Sequence, residues 1–353
     1  MIFNRLMILF FIINLNLFAQ DDFFTPVSTI GGYGELHFNK IIPNKGSNSE
    51  SLDFHRFVLL FSHSWTEKLS FKSEIEIEHN YVKSNQGELE LEQAYIDYHH
   101  ADWIGIQAGV LLPSVGLLNE IHEPPTFLSV ERPDYSNKII PTTWYGNGIA
   151  LYGNYSGFDY KFVAMEGLNG DKISTSSGIR DARQKGYKSN AKNLLYNFRV
   201  NYINLTGLLI GTSYSINNAF SLTKKVKVNI AEIHSRYQNY GFYSSFELGK
   251  ITYDHKNLKS SFGYYFELGY DVFRFVKAEG ELIPFIRFSQ FNTADKVSNL
   301  PDEERKYNNS QILLGAMYKP LPEIAVKFDY SLSKVELGNQ KTKYLNLGIG
   351  YMF

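Results

Sequence analysis

The sequence predicts an all-β fold, a transmembrane antiparallel β-barrel of about sixteen strands with long extracellular loops and short periplasmic turns. Three observations carry this. Apolar and polar residues alternate with period two in segment after segment, and the connections between segments alternate between tight and long. The chain is only 44% hydrophobic yet 16% aromatic, with 25 Tyr and 27 Phe, which fits strands that meet lipid on one face and water on the other.

The chain opens with Arg5, an apolar run from Leu6 to Ile13, and Leu17-Phe18-Ala19 before Gln20-Asp21-Asp22. This pattern predicts a secretory signal peptide over 1–19, cleaved after Ala19, with the barrel occupying 20–353. The apolar run is too short to span a bilayer as a helix. Without Arg5 the balance is 34 basic against 36 acidic side chains, so nothing points to nucleic acid as a partner. There is no Cys, hence no disulfide framework and no cysteine metal site.

Turn signals and periodicity then place strands near 28–40, 54–65, 69–82, 88–100, 104–112, 144–155, 159–168, 192–202, 206–215, 229–238, 241–253, 259–272, 276–292, 310–319, 324–337 and 343–353. The alternation is clearest at Ser261–Val272. Phe262, Tyr264, Phe266, Leu268, Tyr270 and Val272 share one face; Ser261, Gly263, Tyr265, Glu267, Gly269 and Asp271 share the other. Carboxylates on the second face are costly in a dry core and expected beside water. Tight connections fall at 66–68, 101–103, 156–158, 203–205 and 273–275, and longer ones at 41–53, 113–143, 169–191, 216–228 and 293–309. An even strand count puts both termini on the short-turn side, and closure leaves no sheet edge exposed to lipid. The last strand, ending at Phe353, closes against the first.

On this assignment the lumen-facing charges are Glu35, Glu74, Glu76, Glu78, Asp97, Glu232, Glu247, Glu267, Asp271, Glu279, Glu281 and Asp329, against Arg56, Lys72, Lys161, Arg199, Arg236, Lys277, Arg287 and Lys327. Mixed charge of this kind suits a water-filled channel. The connection 113–143 carries five prolines and Leu117, Leu118, Phe127, Leu128, Ile139 and Ile140, residues that require a surface to cover them. It is therefore expected to fold into the lumen, which makes Glu120, His122, Glu123, Glu131, Arg132, Asp134 and Lys138 candidate constriction residues, beside the wall charges Glu74, Glu76, Glu78, Asp97, Arg199 and Arg236.

Enzymatic signals are weak. His55, His63, His79, His99, His100, His122 and His234 show no metal-ligand spacing, and His99-His100 point to opposite faces of one strand. The glycines of Gly31-Gly32-Tyr33-Gly34 lie inside a strand and precede no helix, so they form no phosphate cradle. Neither a catalytic residue, a metal site nor a cofactor is expected.

Over Glu90–Leu117 and onward to Gly170, the chain resembles the phosphate-selective porin O/P family. The carriers are Ala94-Tyr95-Ile96-Asp97-Tyr98, Gln107-Ala108-Gly109, Pro113, Glu131-Arg132, Gly146-Asn147-Gly148 and Gly167-Leu168-Asn169-Gly170. The resemblance implies a sixteen-stranded trimeric barrel with its third long loop folded into the pore. Phosphate selectivity is not carried over, because Val110–Gly116 lacks the family's lysine before the proline and the lumen faces show no arginine ladder. The terminal Phe353 also resembles the signal that outer-membrane proteins present to the barrel-assembly machinery. The expected function is a Gram-negative outer-membrane porin, a passive channel for small polar or ionic solutes, in contact with lipid and lipopolysaccharide. The alternatives are a barrel-type adhesin or receptor and an outer-membrane hydrolase.

Overall fold

A computed structural model describes residues 24–83, 86–222 and 225–353. The proposed signal peptide lies outside these residues. Sixteen strands form one closed antiparallel sheet: β1 Val27–Pro43, β2 Ser49–Ser64, β3 Leu69–Lys83, β4 Gln86–Ala101, β5 Ile104–Leu111, β6 Gly146–Tyr155, β7 Phe158–Met165, β8 Leu195–Leu205, β9 Leu208–Ala219, β10 Val226–Asn239, β11 Phe242–Tyr253, β12 Leu258–Tyr270, β13 Glu281–Val297, β14 Asn308–Leu321, β15 Ile324–Val335 and β16 Gln340–Met352. Each strand pairs with its sequence neighbours, and β1 pairs with β16 from Tyr33↔Met352 to Pro43↔Thr342. Among the described residues no helix is long and apolar enough to cross a membrane.

Period-two alternation decides which way each side chain points. On β12, Phe266 and Leu268 are exposed on the outer face while Tyr265 and Glu267 are buried inside. The outer face is apolar all round the barrel, as at Ile149, Leu151, Phe198, Ile233, Ile286, Ile312, Val326 and Leu347, and makes a band for lipid. At the short-turn rim Trp65, Trp103, Tyr155, Phe158, Tyr240, Phe242, Phe275 and Phe353 are exposed, an aromatic girdle at the membrane surface. The turns there are tight: Tyr240-Gly241 has φ of 51° and 83°, the left-handed pair that a two-residue hairpin with matching twist requires.

Two expectations shift. Residues 276–280 do not begin a strand. Phe273–Val276 form a helical turn, Lys277 and Gly280 take positive φ, and β13 runs from Glu281 to Val297. Lys277 and Glu279 therefore sit in a turn and not on the lumen wall. The connection after β1 is also shorter than expected, because β1 and β2 extend to Pro43 and from Ser49.

The interior is not uniformly wet. Leu111, Val115, Tyr135, Ile139 and Trp144 pack with Leu168, Ile173, Ile179 and Ala182 and with inward residues of β6 to β13, such as Val163, Leu195, Ile230 and Ile251, in one buried apolar cluster. Two connections, 112–145 and 166–194, reach in to complete this core. The second fold-in was not anticipated from sequence. Arg183 donates to the carbonyls of Thr142 and Thr143, and Arg180 to Asn137, so the second connection is bonded to the first.

Candidate functional site: a charged seam along β1 to β4

The connection 112–145 touches most of the inner wall. Near its start, Ser114 N–H donates to Asn197 Oδ1 on β8 (2.9 Å) and Leu117 N–H to Glu247 Oε2 on β11 (3.0 Å). Farther along, Val130 N–H donates to Asp329 Oδ2 (2.8 Å), Lys327 Nζ to the Ser129 carbonyl (2.9 Å), and Arg236 to the Thr126 carbonyl (2.9 Å). The wall is cut to receive it. A Cβ on Gly263 would stand 2.9 Å from Ile139 and 3.1 Å from the Tyr135 ring, and one on Gly348 would stand 2.9 Å from Val130.

The candidate residues from this connection fall into three environments. Glu120 pairs with Lys161 (2.8 Å) and with Arg199, which also bonds Asp159. Burial alone would raise the Glu120 carboxyl, but the two cations outweigh it and hold it at about 2. Arg199 and Glu120 are thus partners in an anchor. His122 is buried beside Glu74 and Glu92, and Glu123 caps a helical turn through its carbonyl, which accepts from Thr126 N–H. Glu131, Arg132 and Asp134 face the β1–β3 wall across a cavity of about 260 Å³, lined also by Glu35, His37, His55, Arg56, Glu78 and Arg180. Lys138 ends the short helix Tyr135–Lys138 and does not line this cavity.

Electrostatics in this cavity are mixed. Glu131 is about half exposed at the mouth of the cavity, and the imidazole of His37 at 3.0 Å and Asn39 bonded at 2.9 Å hold its carboxyl below the ordinary carboxylate range. Burial pushes Asp134 up and, with Arg56 close by, pushes Arg132 down. On the wall Arg56 bridges Glu35 (2.7 Å) and Glu76 (3.1 Å). A second cavity of about 390 Å³ lies toward the short-turn rim on the same wall, lined by Gly31, Ser62, Lys72, Glu74, Gln93 and Tyr95. Asp97 sits at this lower level, bonded to Tyr152 (2.7 Å) and Lys72 (3.4 Å). Between the cavities stand Tyr33, Arg56, Glu74, Glu76, Glu92 and His122.

Two β-bulges place residues that strict alternation would send outward. Where Glu35 pairs with Arg56 and Leu36 with Phe54, His55 is the extra residue. Where Glu74 pairs with Gln93 and Ile75 with Leu91, the extra residue is Glu92, now wholly buried inside. The bulges bring together three histidine and carboxylate groups: His37, His55 and Glu131; Asp53, His55 and His79; Glu74, Glu92 and His122. Linear spacing gave no sign of them.

The family model for phosphate-selective porin O and P matches residues 33–353. The chain belongs to that family. An uncharacterized protein from Aquifex aeolicus (strain VF5) is 33% identical over 331 residues, covering 86% of this chain and 74% of its own length. Solved porins share the fold at low identity. The anion-selective porin from Comamonas acidovorans aligns with a TM-score of 0.61 and 12% identity over 93% of this chain and all of its own. The outer membrane channel DcaP of Acinetobacter baumannii gives 0.62 and 11%, over 93% and 97%. Salmonella typhi OmpF gives 0.62 and 13%, over 92% and 97%. As a member of the porin O and P family with a closed sixteen-stranded barrel, the chain is an outer-membrane porin, a passive channel for small polar or ionic solutes.

Proposed function

We propose that solutes cross this porin along the charged seam between the connection 112–145 and the wall of β1 to β4. The observation that carries the reading is the upper cavity, lined at once by Glu131, Arg132 and Asp134 of the connection and by Glu35, His37, Arg56 and Glu78 of the wall. Toward β6 to β13 the interior is filled by the apolar cluster, whereas the inward side chains of this wall are charged and polar. In this reading Glu131, Arg132, Asp134 and Glu78 form the constriction, while Glu74, Glu76 and His122 are buried in the packing between connection and wall and do not line the path. Glu120, Arg199 and Arg236 hold the connection in place.

Both signs of charge are interleaved along the seam, and Arg56 is committed to two carboxylates. Phosphate recognition rests on several undivided cationic donors converging on one anion. Discrimination here is therefore weak, a transverse field more than a phosphate filter. The signal peptide cut after Ala19, a homotrimer, contact with lipid and lipopolysaccharide, and delivery by the assembly machinery through Phe353 belong to the same reading. The trimer draws support from Vibrio cholerae OmpT, a structural neighbour described in trimer form. A hydrolase reading is less favoured: Ser28 Oγ and His63 Nδ1 stand 2.7 Å apart, but on the outer face, and no carboxylate bonds His63 among the described residues.

Planar-bilayer recording tests this. Stepwise ohmic conductance with a small reversal potential in a KCl gradient is expected. A silent barrel would favour an adhesin or receptor, and a strongly anion-selective current blocked by phosphate would overturn the mixed-field reading.

A further inference from the structure

We propose that Glu74, Glu92 and His122 form a binding site for a divalent first-row transition-metal ion, of the Zn2+ or Mn2+ class, that clamps the folded-in connection to the barrel wall. His122 comes from the connection, Glu74 from β3 and Glu92 from the bulge of β4, so one ion would join three separate stretches of chain.

The imidazole is oriented for the task. His122 Nδ1 lies 3.1 Å from the Asn119 carbonyl, which can only accept, so Nδ1 carries the hydrogen and Nε2 is left to face the carboxylates. A ligating histidine held by a backbone carbonyl through its other nitrogen is the usual outer arrangement of a metal site. Nε2 stands 3.5 Å from Glu74 Oε1 and 3.5 Å from Glu92 Oε2. Those separations exceed a good hydrogen bond. They match donor atoms on a shared ion, which at bonds of about 2.1 Å and tetrahedral angles lie about 3.4 Å apart.

Burial makes the mismatch costly. Glu92 is 0% and His122 2% exposed, and the neighbours they have, Glu76 beside Glu92 and the 3.5 Å contacts between His122 and the two carboxylates, leave both Glu92 oxygens and Nε2 of His122 without a well-formed hydrogen bond. Polar atoms buried to this degree are nearly always satisfied. Glu35 and Glu76 share Arg56, whereas Glu74 and Glu92 have no Lys or Arg ion pair among the described residues. With only the His122 imidazole between them, the two carboxylates would gain both positive charge and properly spaced partners from a divalent ion. Glu74 is itself steadied by Tyr33, whose hydroxyl donates to Oε1 at 3.0 Å, and by Gln93, which donates to Oε2.

The donor set names the class of ion. One imidazole and two carboxylates, with no sulfur, suit Zn2+, Mn2+, Fe2+ or Co2+ and do not suit Cu+. Mg2+ and Ca2+ favour all-oxygen shells. The proposal stands on loop and wall geometry alone and is independent of which solute passes the seam.

The test uses the full-length mature protein, folded in detergent, stripped with EDTA and titrated with ZnCl2 and with MnCl2 by calorimetry. One equivalent of at least one of these ions should bind, with affinity reduced by about 30-fold or more in His122→Ala and in Glu92→Gln. Binding should persist in His55→Ala, which removes the residue common to the other two histidine and carboxylate groups. X-ray absorption of the loaded wild type provides a reading that needs no variant, and should show a nitrogen and oxygen shell with a single imidazole. Absence of stoichiometric uptake of both ions by the folded wild type would overturn the proposal and leave His122 as a cation between two carboxylates. A shell with two or more imidazoles would equally overturn it, moving the ion to the His55 groups.

Discussion

Gly32 and Phe353 close the barrel with a reciprocal pair of backbone hydrogen bonds, each donating to the other's carbonyl at 2.9 Å. The Phe353 ring lies over Gly32 and stacks near Phe57 at a centroid distance of 6.1 Å. A Cβ at position 32 would stand 2.8 Å from that ring and collide with the Val58 carbonyl. Gly32→Val is therefore expected to weaken the seam by about 1–3 kcal/mol. The measurement is the temperature at which the folded barrel loses its compact electrophoretic mobility, and an unchanged temperature would mean that closure tolerates crowding there.

Glu120 supplies a pH prediction. Its carboxyl is held at about 2, against an ordinary value of 4.5, so folding gains from it when ionised. That contribution is complete above about pH 4.5 and is lost as pH falls toward 2. Glu120→Gln should cost about 1–3 kcal/mol at neutral pH, because it removes the carboxylate of Lys161 and one of the two that Arg199 holds. Melting curves of the two proteins should differ at pH 7 and converge near pH 2; a gap independent of pH would remove the ion pairs as its cause.

Excising the stretch from Glu120 to Phe127 removes one anchor of the connection and the turn that passes beneath Arg236. Single-channel conductance should rise, with the barrel still folded. Unchanged conductance would place the route elsewhere in the lumen.

Glu131 and Arg180 line the upper cavity with opposite charge. Charge in a narrow space is screened less than at a wide mouth. Glu131→Gln should move the reversal potential toward anions and Arg180→Gln toward cations, each by a few millivolts in a tenfold salt gradient. A shift of the same sign in both would contradict the mixed-field reading.

The barrel was legible in the sequence because lipid and water impose opposite demands on successive residues, and Phe262 to Val272 declare this without tertiary context. Residues 276–280 misled because Val276, Ala278 and Gly280 alternate with Lys277 and Glu279 in the period of a strand, although they form a turn. The site was legible in part. Prolines and stranded apolar residues marked the connection 113–143, but the fold-in of 166–194 rests on Ile173, Ile179 and Ala182 scattered through Ser and Gly, which carry no period. Glu92 and His55 were hidden for a different reason: a bulge inverts the side of one residue and leaves no trace in composition.

The apolar cluster inside the barrel has its own consequence for how the molecule comes apart. Its inner part comes from two connections whose backbone makes few ladder bonds, while the strands that complete it are laced on both edges. Interior and wall are thus separate cooperative units, and the interior should open first. Amide hydrogens of 113–143 and 166–194 are expected to exchange with solvent through a low-energy opening that leaves strand amides protected. A porin built this way can widen by local melting of its filling without breaching the membrane wall.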